Sequence, residues 1–226
     1  MIYMRRIEFL GLTLDICEGV YEPSHDTELL ALAALQFVKP TMRVLEIGTG
    51  SGAIAILLAK KGAKVVATDI FESVIKCAMR NAGLNNVEID FRIGDLFEPV
   101  KGELFDMVVF NPPYLPKSEY DHILAPEIYR AVVGGMKGNE IALRFIKELP
   151  AHLRDGGKAL LVISTLSNPS EIIEIANNLG FNIAVLRTRR FFFETITVLV
   201  FSLGKTKIRK RKNHYSISSE FSNFLL

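Results

Sequence analysis

The 226-residue chain has little cysteine and no long apolar run, and both shortages narrow what it can be. Its two cysteines, Cys17 and Cys77, stand far apart, with no neighbouring Cys or His at metal-ligand spacing. Neither a disulfide framework nor a metal site is indicated, and the expectation is a reduced, cytoplasmic chain. The longest apolar stretches, such as Ile54 to Ala59 and Ile196 to Phe201, have strand or buried-helix length. A membrane span needs roughly eighteen residues or more, so no membrane partner is expected. The first residues, MIYMRRIEF, lack the apolar segment and cleavage site of a secretory leader. Internal repeats are also absent.

Charge is nearly balanced at +2, but it is unevenly placed. Residues 1–204 hold 21 basic and 24 acidic groups, a net of −3 that does not suggest a phosphate-binding face. Residues 205–226 hold Lys205, Lys207, Arg209, Lys210, Arg211, Lys212 and a single acid, Glu220, a net of +5. That tail reads as a solvated terminus, with contact to RNA, the ribosome or an acidic partner as the alternative. A hydrophobic content of 49% in this length supplies one buried core. The expected organisation is one domain over residues 1–204 followed by the basic tail 205–226.

From Arg43 onward, apolar runs of strand length alternate with stretches of helical period, the pattern of a parallel sheet covered by helices. The candidate strands are Arg43–Ile47, Lys64–Thr68, Val87–Arg92, Phe105–Phe110, Lys158–Ser164, Phe181–Leu186 and Thr195–Ser202. The last two are separated only by Arg187–Phe193, too short for a crossover helix, so they should pair antiparallel. The predicted fold is α/β and Rossmann-like: a seven-stranded, mostly parallel sheet with one antiparallel strand and helices on both faces. Asn168 and Pro169 open a helix over Ser170–Leu179 that Gly180 stops, and Gly62 stops another over Ala53–Lys61. In front, Glu8–Ile16 suggests a small hairpin and Asp26–Phe37 a helix capped by Ser24 or Asp26, together a lid for the domain.

The first strand of the sheet runs into Glu46, Ile47, Gly48, Thr49, Gly50, Ser51, Gly52, and an apolar helix begins at Ala53. Glycines at a strand-to-helix turn let a ligand touch backbone that a Cβ would shield. Taken alone the turn also satisfies a dinucleotide pattern through Gly48, Gly50 and Ala53. Glu46 shifts the balance, because a carboxylate there repels a pyrophosphate but suits the ammonium group of S-adenosyl-L-methionine. Asp69 closes the second strand, where an acid can accept ribose hydroxyl hydrogens, and Asp95 follows the third, where it can accept from an adenine amine. Any one of these acids could be an ordinary loop carboxylate or cap. Three at the ends of consecutive strands point to a donor site.

Asn111, Pro112, Pro113 and Tyr114 follow the very apolar fourth strand, at the edge where open α/β sheets bind ligands. Two prolines remove two backbone donors and stiffen the turn, leaving an edge made of acceptors. A substrate amide or amine could donate one hydrogen to the Asn111 side-chain oxygen and another to the Pro112 carbonyl, with Tyr114 stacked on its plane. Such a clamp holds a planar nitrogen in line for methylation without a strong base.

These residues resemble the HemK-like class I methyltransferases, and within them the short archaeal and eukaryotic branch that modifies the glutamine of the release factor GGQ motif. The resemblance covers about Val20 to Leu203 and is carried by VYEPSHDTELL (Val20–Leu30), LEIGTGSG (Leu45–Gly52), NPPY (Asn111–Tyr114) and GGMKGNE (Gly134–Glu140). It implies donor-binding roles for Thr27, Glu46, Gly48, Asp69, Asp95, Leu96 and Asn111, with Gly50 and Gly52 in the same turn, and a substrate clamp at Pro112, Pro113 and Tyr114. It further implies a class I release factor as substrate and a small zinc-binding activator subunit as partner. The extra helical domain usual in bacterial members is missing, and the tail after Gly204 runs past the usual end of the fold. Some members of the branch also accept lysine. A nucleic-acid adenine N6-methyltransferase is the main rival, since adenine presents the same amine on a planar ring. A donor-binding scaffold without activity is a third reading, disfavoured by the intact Asn111 and Tyr114.

Overall fold

A computed structural model describes residues 4–203, so the basic tail 205–226 lies outside the described residues. The chain opens on a hairpin of β1 (Met4–Phe9) and β2 (Leu12–Cys17). Its turn at Leu10 and Gly11 takes positive φ at both positions, 47° and 78°, the form that follows the twist of paired strands. Helix α1 (His25–Ala34) starts where the Ser24 carbonyl accepts from the Glu28 N–H at 2.9 Å. It ends before the expected Phe37 because the N–H groups of Gln36 and Phe37 reach back only three residues, to Ala33 and Ala34, tightening the last turn.

The sheet region then runs β3 (Arg43–Ile47), α2 (Ala53–Lys60), β4 (Lys64–Asp69), α3 (Glu72–Leu84), β5 (Asp90–Ile93), β6 (Phe105–Phe110), β7 (Leu115–Pro116), α4 (Pro126–Val132), β8 (Val133–Gly135), α5 (Glu140–Glu148), β9 (Leu153–Ser164), α6 (Pro169–Asn178), β10 (Phe181–Arg190) and β11 (Thr195–Leu203). The main sheet has seven strands in the order β10-β11-β9-β6-β3-β4-β5. Strand β11 runs antiparallel to both neighbours while the β3–β4, β4–β5, β3–β6 and β6–β9 pairs are parallel, as the sequence pattern predicts.

Alternate residues of each central strand feed two cores, one per face. Val44, Val65, Met107, Val109, Leu160 and Val162 pack with α1 and α2, whereas Leu45, Val66, Val108, Phe110, Leu161 and Ile163 pack with α5 and α6. Two strands are longer than their apolar runs. β9 begins at Leu153, pairing with Phe105 before a register shift, and β10 continues through the charged Arg187–Arg190.

Cys17 at the end of β2 and Cys77 in α3 are joined in a disulfide, with Cα atoms 6.1 Å apart. The reduced state expected of the chain does not hold for this pair. Sixty residues separate the two in sequence, so their spacing carries no sign of the contact. What brings them together is the packing of β2 along α3, where the Asn81 side chain accepts from the Asp15 N–H at 2.8 Å and donates to the Asp15 carbonyl at 3.0 Å. Among the described residues no helix is long and apolar enough to cross a membrane, and no cluster of His, Cys, Asp and Glu is arranged to hold a metal ion.

Candidate active site

The carboxyl ends of β3, β4 and β6 open into a cavity of about 430 Å³. Gly48 and Gly50 sit on its floor with φ of 63° and 54°, values that an L side chain resists. The turn is closed by the Thr49 N–H donating to the Thr68 carbonyl at 2.9 Å and the Gly52 N–H donating to the Thr49 carbonyl at 2.9 Å. Gly52 does not line the cavity. A Cβ there would stand 3.2 Å from the Ala78 Cβ, so this glycine, grouped with the donor turn by sequence, serves the close approach of α2 to α3.

Glu46 is buried under the turn, and its Oε2 accepts from the Thr49 hydroxyl at 2.6 Å and the Ala55 N–H at 3.0 Å. Burial pushes its carboxyl up to about 8, against the lowering effect of those two donors. Asp69 ends β4 with Oδ2 accepting from the Gly50 N–H at 3.1 Å and Oδ1 from the Phe71 N–H at 3.3 Å, and burial raises its pKa as well. Asp95 and Leu96 reach the same cavity, Asp95 steadied by Arg144 at 2.8 Å and Leu96 buried in a left-handed conformation. Thr27 lines the cavity from the first turn of α1.

Asn111, Pro112, Pro113 and Tyr114 all line the cavity, so the structure brings the proposed clamp and the donor turn together. The Asn111 Oδ1 is shielded from water and has no hydrogen-bond donor among the described residues. A buried polar atom left this way is costly unless a ligand completes it. The two carbonyls next along the turn are covered by another loop. A Cβ on Gly134 would come within 2.4 Å of the Pro113 oxygen, and one on Gly138 within 2.4 Å of the Tyr114 oxygen. β7 and β8 pair across the same contact, with the Lys117 N–H donating to the Gly135 carbonyl at 2.8 Å. The glycines of GGMKG therefore let one loop's backbone brace the other's. Gly134→Ala is expected to displace the clamp and lower kcat by about 100-fold, with donor affinity by calorimetry unchanged.

Sequence reasoning missed part of the wall. The N-cap of α1 is Ser24; Asp26 is buried inside the first turn, and its Oδ1 accepts from the Thr27 N–H at 2.6 Å. Its Oδ2 accepts from the Tyr114 hydroxyl at 3.1 Å and the Tyr21 hydroxyl at 3.4 Å, joining the front segment to the clamp. Burial and the Asp26 charge push the Tyr21 phenol up to about 12 and raise that of Tyr114 too, so both remain neutral donors. Glu194, from the β10–β11 turn, completes this end of the cavity and accepts from the Ser164 hydroxyl at 2.7 Å. The YEPSHDT string held the signal for Asp26, but nothing local marked Glu194.

A ligand crevice on one side of a turn and an orphaned amide oxygen on the turn itself suit an enzyme that transfers a methyl group to nitrogen, on a sheet of the Rossmann-like class I methyltransferase order. The chain belongs to the methyltransferase small domain family, which matches residues 24–192. It is 44% identical over 194 residues to a protein of Methanocaldococcus jannaschii provisionally named as a protein N5-glutamine methyltransferase, covering 85% of this chain and 96% of that one. It is 33% identical to the release factor glutamine methyltransferase of Geobacter sulfurreducens over 77% of this chain, and spans 63% of that longer relative. Among solved structures, the E. cuniculi Mtq2-Trm112 complex, described as methylating the eRF1 translation termination factor, is similar at 25% identity with a TM-score of 0.66, covering 82% of this chain and 99% of that one.

The donor of such enzymes, S-adenosyl-L-methionine, fits what the crevice offers. Glu46 keeps one carboxylate oxygen without a partner among the described residues, ready for an ammonium group. At Gly50 nothing stands within 4 Å of where a Cβ would be, which leaves the backbone open to a ligand.

Proposed function

We propose that this protein methylates N5 of the glutamine in the GGQ motif of a class I peptide chain release factor, with S-adenosyl-L-methionine as donor. The observation that carries the reading is the unpartnered, water-shielded Asn111 Oδ1 on a turn from which two prolines have removed the competing N–H groups. A primary amide offers two hydrogens, one for that oxygen and one for the Pro112 carbonyl, and the clamp then turns the nitrogen lone pair toward the donor crevice. Thr27, Glu46, Gly48, Gly50, Asp69, Asp95 and Leu96 would hold the donor from the other side, with Asn111 shared between the two. When bound, the donor supplies a methyl group made electrophilic by its sulfonium.

The amide nitrogen gains that methyl group and loses one proton to water, giving N5-methylglutamine beside S-adenosylhomocysteine. An amide lone pair is delocalised into its carbonyl, so holding the nitrogen in line matters more than removing its proton beforehand. Orientation of this kind can lower a barrier by as much as about 7–11 kcal/mol. Tyr114, held by Asp26, closes over the plane of the amide.

The relatives' substrates support a glutamine acceptor, and the complex of E. cuniculi supports a partner subunit of the Trm112 kind. The open sheet edge at β5 suits such a partner, with Ile93 on the strand and Met79 and Leu84 on the adjoining α3 exposed. This reading sets the enzyme's work in the cytoplasm, with translation.

With the activator subunit present, the protein is expected to label a class I release factor with donor methyl groups, at one methyl per chain. Mass spectrometry should find the mass on the GGQ glutamine, and replacing that glutamine should abolish it. A methyl on a lysine, or transfer to adenine in nucleic acid in place of the protein, would overturn the assignment.

A further inference from the structure

The turn between β10 and β11 carries three successive phenylalanines, and two of them are bare: Phe192 is 92% exposed and Phe193 84%. Their rings meet edge to face at a centroid distance of 4.5 Å, forming one small apolar knob. Large aromatic rings held in water beside a catalytic cleft are an unfavourable arrangement for a lone chain and the usual anchor of an interface.

The knob stands on a fixed base. The Phe191 N–H donates to the Glu194 carbonyl at 2.7 Å, and the Thr195 N–H donates to the Thr165 hydroxyl oxygen at 3.0 Å. The Phe191 ring lies 5.5 Å from the His25 ring at the start of α1, and Arg189 donates to Glu28 on the same helix at 2.8 Å. The turn is therefore held against the wall of the cavity that Asp26 and Thr27 also form. Glu194, the next residue after the knob, lines the acceptor end beside Tyr114. A polypeptide that enters beside Glu194 therefore comes close to the knob.

We infer that Phe192 and Phe193 are the docking element for the protein that carries the methyl acceptor, packing on an apolar strip of that protein next to the modified loop. This rests on the release factor reading above. The position of the knob favours the acceptor protein: the next residue, Glu194, lines the acceptor end of the cavity, while Arg189 is spent on Glu28 and Arg190 is exposed beside the rings. An apolar strip of that protein finds two bare rings to pack on, with Glu194 beside them at the acceptor end.

The test compares wild type with the double variant Phe192→Ser, Phe193→Ser, both full length and with the activator subunit, on full-length class I release factor. The double variant is expected to raise KM for the release factor at least tenfold. Its kcat at saturation, its donor affinity by calorimetry and its melting temperature should match wild type, because the knob touches neither the donor nor the reacting atoms. The pair Phe192→Leu, Phe193→Leu should restore most of the affinity.

An unchanged KM in the serine variant overturns the proposal, and so does a loss confined to kcat or donor affinity. A variant that changes only self-association in sedimentation, or only binding to RNA, assigns the knob to another surface and overturns it too. If wild type leaves the release factor unlabelled, the substrate reading itself fails and this docking role falls with it.

Discussion

Asn111→Ala is expected to lower methyl transfer by about 100- to 1,000-fold, the loss seen when a single preorganised hydrogen-bonding group is removed from a reacting centre. Donor binding should persist with a loss smaller than about tenfold, because Asn111 is one donor contact among several and the crevice keeps the others. The asymmetry follows from the geometry. The Asn111 oxygen is sheltered and unpaired, so it stabilises nothing in the folded chain that its removal would lose. Its deletion should leave the melting temperature the same or slightly higher, a sign that an atom was kept for a ligand. Single-turnover rates with donor and release factor saturating isolate the step, and calorimetry with the donor alone checks binding. Transfer at the wild-type rate would end the clamp mechanism.

What could be read from the sequence was local. The glycine turn and the Asn-Pro-Pro-Tyr turn each need only a few neighbouring residues after an apolar strand, so string and geometry coincide. The sheet was legible for a related reason: strands buried on both faces are nearly continuous apolar runs, and the short link before Thr195 left an antiparallel return as the available connection. Contacts across long separations left no such trace. Tyr114 and Asp26 meet over 88 residues and Cys17 and Cys77 over 60, and each pair depends on how the front segment lies against the sheet. Arg187–Arg190 looked like loop because it is charged. It is edge strand, where alternate side chains reach solvent or a partner helix and charge guards the open edge. Gly52 misled in the opposite direction, since a glycine needed for helix packing is written with the same letter as one needed by a ligand.

The second large effect is a pH dependence of donor binding set by Glu46. In the donor-free protein, burial holds this carboxyl protonated up to about 8, although its ordinary value is 4.5. The ammonium of the donor requires the ionised form. Below that point, each unit of pH lost should weaken donor binding about tenfold, because the fraction of ionised Glu46 falls by that factor. Binding at pH 7 should then release close to one proton, measurable by calorimetry in buffers of different ionisation enthalpy. Glu46→Gln removes the titration, so its affinity should be weak and nearly flat over the same range, and comparison of the two curves separates Glu46 from the donor's own ionisation. The sign for stability is the reverse of that for binding. A folded carboxyl that holds its proton more tightly than the unfolded one contributes stability that is greatest below 4.5 and is lost as pH rises toward about 8. The donor-free domain should therefore melt at lower temperature as pH climbs through that window, while saturating donor offsets the loss most strongly at its alkaline end. A wild-type affinity that does not vary between pH 6 and 8 would mean that Glu46 braces the glycine turn through Thr49 and Ala55 and takes no part in holding the ammonium.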